Sequence, residues 1–254
     1  MKFSFNTKQP KKPWFAWIFW IIGFMLLNLV LLVVQEVFDI TTQIGSTLVQ
    51  YLCEIGIIII ALVINHCYTK EPLMFKRWNI FAQSFLLDFY FIYYLWGILV
   101  LHNEMHHILL YGILALLIGI AEELSFRGVL LSSFIHNWKG RHPLVAGILL
   151  SSLLFGATHA MNALSQPLPN TIVQMFVAFS LGVILAIMYL RTANLTTPIL
   201  FHAMIDFTSI SISNTTESQT GWGPVIPLLI VALITLFTQL RPAARQQIKQ
   251  DFNV

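Results

Sequence analysis

The chain has 254 residues, of which 57% are hydrophobic and only 10% charged, against a charged share of about 25% in ordinary soluble domains. Apolar runs near the ~20 residues needed to span a bilayer recur along it, which excludes a water-soluble globule and points to a multi-pass membrane protein. A formal net charge of +3 is too mild and too dispersed to imply a nucleic-acid partner.

The first run, Trp14 to Val34, follows a leader carrying Lys2, Lys8, Lys11 and Lys12. It is longer than the apolar core of a secretory signal, and the following "QEVFD" offers no small-residue cleavage site, so an uncleaved first helix is expected. Further spans are predicted near 46–67, 80–101, 108–135, 144–162, 171–190, 195–213 and 223–240. Together they predict an all-α, polytopic helical bundle of about eight transmembrane helices, forming a single transmembrane domain over 1–254. Cys53 and Cys67 lack metal-motif spacing and read as plain membrane-helix residues.

The basic residues support this count. With the N-terminus inside, the inner segments 1–13, 68–79, 136–143, 191–194 and 241–254 hold 13 of the 14 Lys and Arg residues. The outer loops near 35–45, 102–107, 163–170 and 214–222 hold none. By the positive-inside rule both termini are expected in the cytoplasm. Short loops without appended domains point to a bacterial cytoplasmic membrane.

The remaining basic residue, Arg127, lies within the fourth span beside Glu122 and Glu123 in "GIAEELSFRG". A charge at the bilayer centre costs about 2.5 to 3.5 kcal/mol on insertion scales. Three facing lipid would cost on the order of 8 to 10 kcal/mol. Glu123 and Arg127 are i,i+4 neighbours and can pair. Glu122 points about 100° away from Glu123, so its partner is expected from another helix. Two later spans offer one: "FGATHA" sets Phe155 and His159 on one face of the fifth, and "FHAMID" sets His202 and Asp206 on one face of the seventh. Such residues can meet in one buried cavity, and intramembrane charge is by default a functional signal.

The chemistry fits hydrolysis by an activated water. A carboxylate and an imidazole facing one water can act as general bases. Adjacent carboxylates in different surroundings can divide acid and base roles. A second His can donate to a developing oxyanion. No Ser or Cys nucleophile belongs to the set.

At these positions "EELSFRG", "FGATH" and "HAMID" resemble the EExxxR, FxxxH and HxxxN/D motifs of the CAAX protease and bacteriocin-processing (Abi) family of intramembrane endopeptidases. The resemblance covers about residues 108–213, with the motifs in the family's order. It implies a glutamate-type intramembrane endopeptidase in which Glu122 activates water with help from His159. Glu123 and Arg127 orient and tune that pair, Phe155 supports it, and His202 with Asp206 holds the oxyanion. Asp206 stands where the eukaryotic prenyl-protein branch has Asn. An ionised Asp cannot donate to an oxyanion, so Asp206 is either protonated or holds the His202 ring, and the second is preferred.

Other readings compete. A zinc protease with His159, His202 and Glu122 as ligands is chemically allowed, although no HExxH helix is present and a site without metal or other cofactor is preferred. A non-catalytic bacteriocin-immunity or scaffold protein is a second reading, and a proton-relaying transporter a third. "HNEMHH" (His102 to His107) reads as a solvated outer turn, "FYFIYYLW" (Phe89 to Trp96) as interfacial packing, and Glu54 and Asp88 as span residues without a motif. The expected partners are the lipid bilayer and a peptide or protein substrate, with a leader peptide or small membrane peptide preferred. The oligomeric state is left open.

Overall fold

The computed structural model describes residues 12–76, 92, 105–213 and 221–254, and these are helical in the main. The first two helices are α1 (Pro13–Val37) and α2 (Gln43–Ile64), the latter running into a π-helical turn, Asn65–Thr69. Next come α3 (Met105–Glu123), a π-helical segment Leu124–Leu131, and α4 (Ser132–Asn137), which together make one continuous rod. Then follow α5 (Pro143–Thr158), a 3-10 turn His159–Leu164, α6 (Leu168–Thr192), α7 (Thr196–Ser213), α8 (Val225–Gln239) and α9 (Pro242–Phe252). Proline stands in the first turn of α1, α5, α6 and α9, where its missing N–H costs nothing and its fixed φ suits a helix start. Thr42 caps α2 by accepting the Gly45 N–H at 3.1 Å.

Among the described residues, five helical segments are long and apolar enough to cross a membrane: Pro13–Val37, Gln43–Thr69, Leu109–Asn137, Pro143–Leu164 and Leu168–Thr192. A sixth arises if α8 and α9, bent by 83° at their junction, are taken as one broken span. These six answer to spans expected near 14–34, 46–67, 108–135, 144–162, 171–190 and 223–240. The expected span 195–213 is present as α7. Its two motif residues, His202 and Asp206, and its Thr and Ser side chains keep it out of the apolar group, and α3 and α6 surround it. The expected span 80–101, with Asp88 and the Phe89–Trp96 stretch, lies outside the described residues apart from Ile92.

Burial sorts the helices by position. In α6 every residue from Leu181 to Leu190 is buried, so this helix is the axis of the bundle. In α1 only Pro13, Ala16 and Trp20 are buried. Phe15, Phe19, Leu26, Leu29 and Val33 are exposed on a helix of mean hydropathy 2.6. Such a face is stable only against lipid tails. Together with the apolar lengths above, it makes this an integral membrane protein.

Close helix crossings use small residues, as membrane bundles generally do. A Cβ added at Gly119 of α3 would lie 2.9 Å from the Ile199 carbonyl oxygen and 3.2 Å from the Ala203 nitrogen of α7. One added at Gly156 of α5 would lie 2.7 Å from the Met175 carbonyl oxygen of α6. Both glycines flank motif residues, and both let a neighbouring backbone approach them.

The basic segments meet at one end of the bundle. Tyr68 donates to the Lys12 carbonyl at 3.3 Å, Lys76 pairs with Asp251 at 3.5 Å, and Arg191 shares a groove with Arg241. The inner segment after Leu240 forms the helix α9, which docks by burying Ile248 and Phe252. His136 holds it there: its ring nitrogens lie 2.5 Å from Glu71 Oε2 and 2.6 Å from the Phe252 carbonyl oxygen. The expected outer turn at His102–His107 lies partly outside the described residues, and from Met105 onward the chain is already α3.

Candidate active site

Glu122 and Glu123 are the last two residues of α3, and Arg127 lies in the π-helical segment that follows. Pi-helical insertions recur at functional sites, because the wider turn re-aims the side chains around it. The Glu123–Arg127 ion pair expected from the spacing forms: Arg127 Nη1 donates to Glu123 Oε1 at 2.6 Å, with both side chains essentially inaccessible. Behind the segment, Ser125 accepts from the Trp20 indole at 2.9 Å and donates to the Ala121 carbonyl at 2.6 Å, tying α1 to it.

The α3–α7 crossing at Gly119 and Ala203 brings His202 against both glutamates. Its Nδ1 lies 2.9 Å from Glu123 Oε1, and its Nε2 lies 3.4 Å from Glu122 Oε2. A carboxylate oxygen already accepting from Arg127 can only accept again, so Nδ1 carries the proton and donates it. Asp206 Oδ2 stands 3.6 Å from Nε2. The close contact that fixes the imidazole therefore comes from Glu123, and Asp206 sits at longer range on the same edge as Glu122.

Exposure divides the set. Glu122 and Asp206 keep 25% and 22% of their side-chain surface, whereas Glu123 and His202 keep 0% and 4%. The first two are partly exposed and the second two are buried. Three buried polar atoms of the cluster, Glu123 Oε2, Arg127 Nη2 and Asp206 Oδ2, have no hydrogen-bond partner among the described residues.

Phe155 and His159 come from the end of α5, where the α-helix passes into the 3-10 turn. The Phe155 ring is the packing centre of the site. Arg127 Cζ lies 4.4 Å from its centroid, and the rings of His159 and His202 meet it edge-on at 5.1 and 5.8 Å. Arg127 thus gains a cation–π contact on one side and an ion pair on the other. His159 Nδ1 lies 2.9 Å from the Phe155 carbonyl oxygen. A carbonyl only accepts, so Nδ1 carries the hydrogen, and in the neutral ring Nε2 keeps its lone pair. His159 interacts electrostatically with His202, Asp206 and Arg127, and its structural link to the glutamates runs through Phe155.

The structure thus gathers Glu122, Glu123, Arg127, Phe155, His159, His202 and Asp206 from three spans. Sequence reading passed over two neighbours. Gly119 sets the crossing that seats His202, and Glu54 of α2 interacts electrostatically with Glu122, Asp206 and His202. The available signal for Glu54 was a single acid midway along an otherwise apolar run. Among the described residues, no three or more His, Cys, Asp or Glu side chains are arranged to hold a metal ion.

One family model matches the chain, that of type II CAAX prenyl endopeptidase Rce1-like, over residues 103–208. No curated protein and no solved structure matches it. The matched stretch contains every residue of the cluster from Glu122 to Asp206 and leaves α1, α2, α8 and α9 outside. Over residues 103–208 the chain is thus similar to the type II CAAX prenyl endopeptidase Rce1-like family, a likeness that supports an intramembrane endopeptidase.

Proposed function

We propose that the protein is a glutamic-type intramembrane endopeptidase that needs no metal and no other cofactor, with Glu122 as the group that activates water. The observation that carries this reading is the position of His202, which meets Glu123 with one ring nitrogen and Glu122 with the other. Glu123 is committed through Oε1 to Arg127 and His202, which leaves Glu122 as the accessible carboxylate of the pair.

In the proposed reaction a water held by Glu122 and the Nε2 lone pair of His159 loses a proton to Glu122 as its oxygen attacks the scissile carbonyl. The carbonyl π electrons move to oxygen, and His202, doubly protonated with its Nδ1–H held by Glu123, donates its Nε2–H to that oxyanion. Collapse of the tetrahedral intermediate breaks the C–N bond, and Glu122 returns its proton to the departing amine. One water is consumed, and one carboxyl and one amine are formed. Asp206 lies too far from Nε2 to fix the ring tightly. Its place beside Glu122 suits it to balancing charge on His202 and meeting the substrate backbone.

The substrate class we favour is a leader peptide or a small membrane peptide reaching the site from the bilayer. Basic segments collected at one end of the bundle support a cytoplasmic position for both termini in a bacterial cytoplasmic membrane. The test is comparative peptidomics of cells carrying wild type or Glu122→Gln at equal expression. Peptides trimmed only by wild type are the expected result. Identical peptide profiles, with any phenotype retained in both strains, would overturn the protease reading and favour the immunity or scaffold role.

A further inference from the structure

Glu54 stands near the middle of α2, half-buried in a segment of mean hydropathy 2.3. An acid at that depth is tolerated when it faces the bundle interior. Its neighbours one helical turn away fix its direction. On one side, Tyr51 donates to the Leu110 carbonyl at 2.6 Å and packs with Tyr111, Leu114, Phe207 and Ile210. On the other, Ile58 packs into the clusters that hold Ala121 and Leu124. Residues at i−3 and i+4 share a face, so Glu54 faces α3 between the levels of Leu110 and Ala121. The α3–α7 crossing places Phe207 at the level of Gly112 and Ala203 at that of Gly119. Asp206 therefore lies in the same interval, reached from the opposite helix.

Glu54 interacts electrostatically with Glu122, Asp206 and His202. On its own helix, Cys53 is the adjacent titratable group. Where α1 packs on α2 it presents uncharged residues, Asn28 toward Cys53 and Leu27 toward Gly56. Glu54 thus adds a fourth carboxyl to a cluster whose cations are Arg127 and, when protonated, His202 and His159. Clustered carboxyls in a low-dielectric site cannot all ionise together.

We propose that Glu54 is a positioning residue of this site, acting through the charge it shares with Glu122, Asp206 and His202. It comes from a helix outside the family-matched stretch and carries no motif, and its role rests on the endopeptidase reading above. A proton held among these carboxyls is shared with Glu122, and Glu54 thereby sets the pH at which Glu122 becomes free to accept one from water.

The test is the pH profile of kcat/KM for purified protein in lipid nanodiscs, using a peptide that wild type cleaves and Glu122→Gln does not. With one negative charge removed, the acid limb in Glu54→Gln moves to lower pH by about half a unit or more, a relative gain of about threefold at the acid end. Glu54→Asp keeps the limb near its wild-type place. A Gln limb that superimposes on wild type overturns the role of Glu54 while leaving the protease intact. A wild type that cleaves no peptide removes the endopeptidase reading itself. Where Glu54→Gln fails to fold, Glu54→Ala and Glu54→Leu replace it. A fold that accepts Asp but no neutral residue would make Glu54 a structural group and overturn the proposal.

Discussion

His202 Nδ1 lies 2.9 Å from Glu123 Oε1, although 79 positions separate the two residues in the chain. The same oxygen accepts from Arg127 at 2.6 Å, so a single carboxylate atom fixes both a guanidinium and an imidazole. Replacing it changes the site without emptying it. Glu123→Gln is expected to lower kcat by about 100-fold or more, with a smaller effect on KM, because the His202 ring loses its anchor and the carboxylate charge that favours its doubly protonated form. Steady-state kinetics against a cleaved peptide check this, and a KM-only effect would assign Glu123 to substrate binding.

Phe155 joins the two histidines to Arg127 through its ring. Phe155→Leu keeps apolar volume and removes the π face, with an expected cost of about 0.5–2 kcal/mol from the cation–π contact. Activity should fall about tenfold or more as His159 and His202 gain freedom. Phe155→Tyr should retain most of it. Equal rates in the Leu variant and wild type would refute the ring's role.

Gly119 is a packing requirement. A Cβ there meets backbone atoms of Ile199 and Ala203 at 2.9 and 3.2 Å, and backbone cannot rotate away as a side chain tip can. Gly119→Leu should destabilise the protein by about 1–3 kcal/mol and reduce cleavage further by displacing His202 from Glu122. Thermal unfolding in detergent and the cleavage rate are the readouts. Gly119→Ala should show the same trend more weakly.

At the basic end, His136 bridges Glu71 and the Phe252 carbonyl. His136→Ala leaves the buried Glu71 carboxylate without this partner, an expected cost of about 1–3 kcal/mol, and frees α9. Hydrogen exchange in residues 242–252 should accelerate while peptide cleavage persists. Unchanged exchange there would show that Ile248 and Phe252 hold the helix by packing alone.

The metal-free mechanism proposed above also predicts the response to chelation. Exhaustive treatment with a chelator followed by metal analysis should leave cleavage intact in metal-free protein. Activity lost on chelation and restored by zinc would reinstate His159, His202 and Glu122 as ligands.

The sequence by itself determined the class of the protein and the membership of the site. Apolar runs of spanning length, basic residues confined to alternate loops, and three short motifs are local patterns, each written within a helix or a loop. The i,i+4 pairing of Glu123 with Arg127 is of the same kind, since helical geometry alone dictates it. What only the tertiary structure decided concerns contacts between helices. Helical spacing left the partner of Glu122 open, and the chemistry of an ionised Asp favoured Asp206 as the residue holding the His202 ring. The α3–α7 crossing at Gly119 sets Glu123 2.9 Å from Nδ1 of that ring and Asp206 3.6 Å from its Nε2. Packing of α2 on α3 turned Glu54 toward this site, and α9 docked onto His136 through Ile248 and Phe252. The reason is physical: a helix fixes its own side-chain directions every 3.6 residues, but depth, crossing and rotation against a neighbour depend on which small residues let two backbones touch.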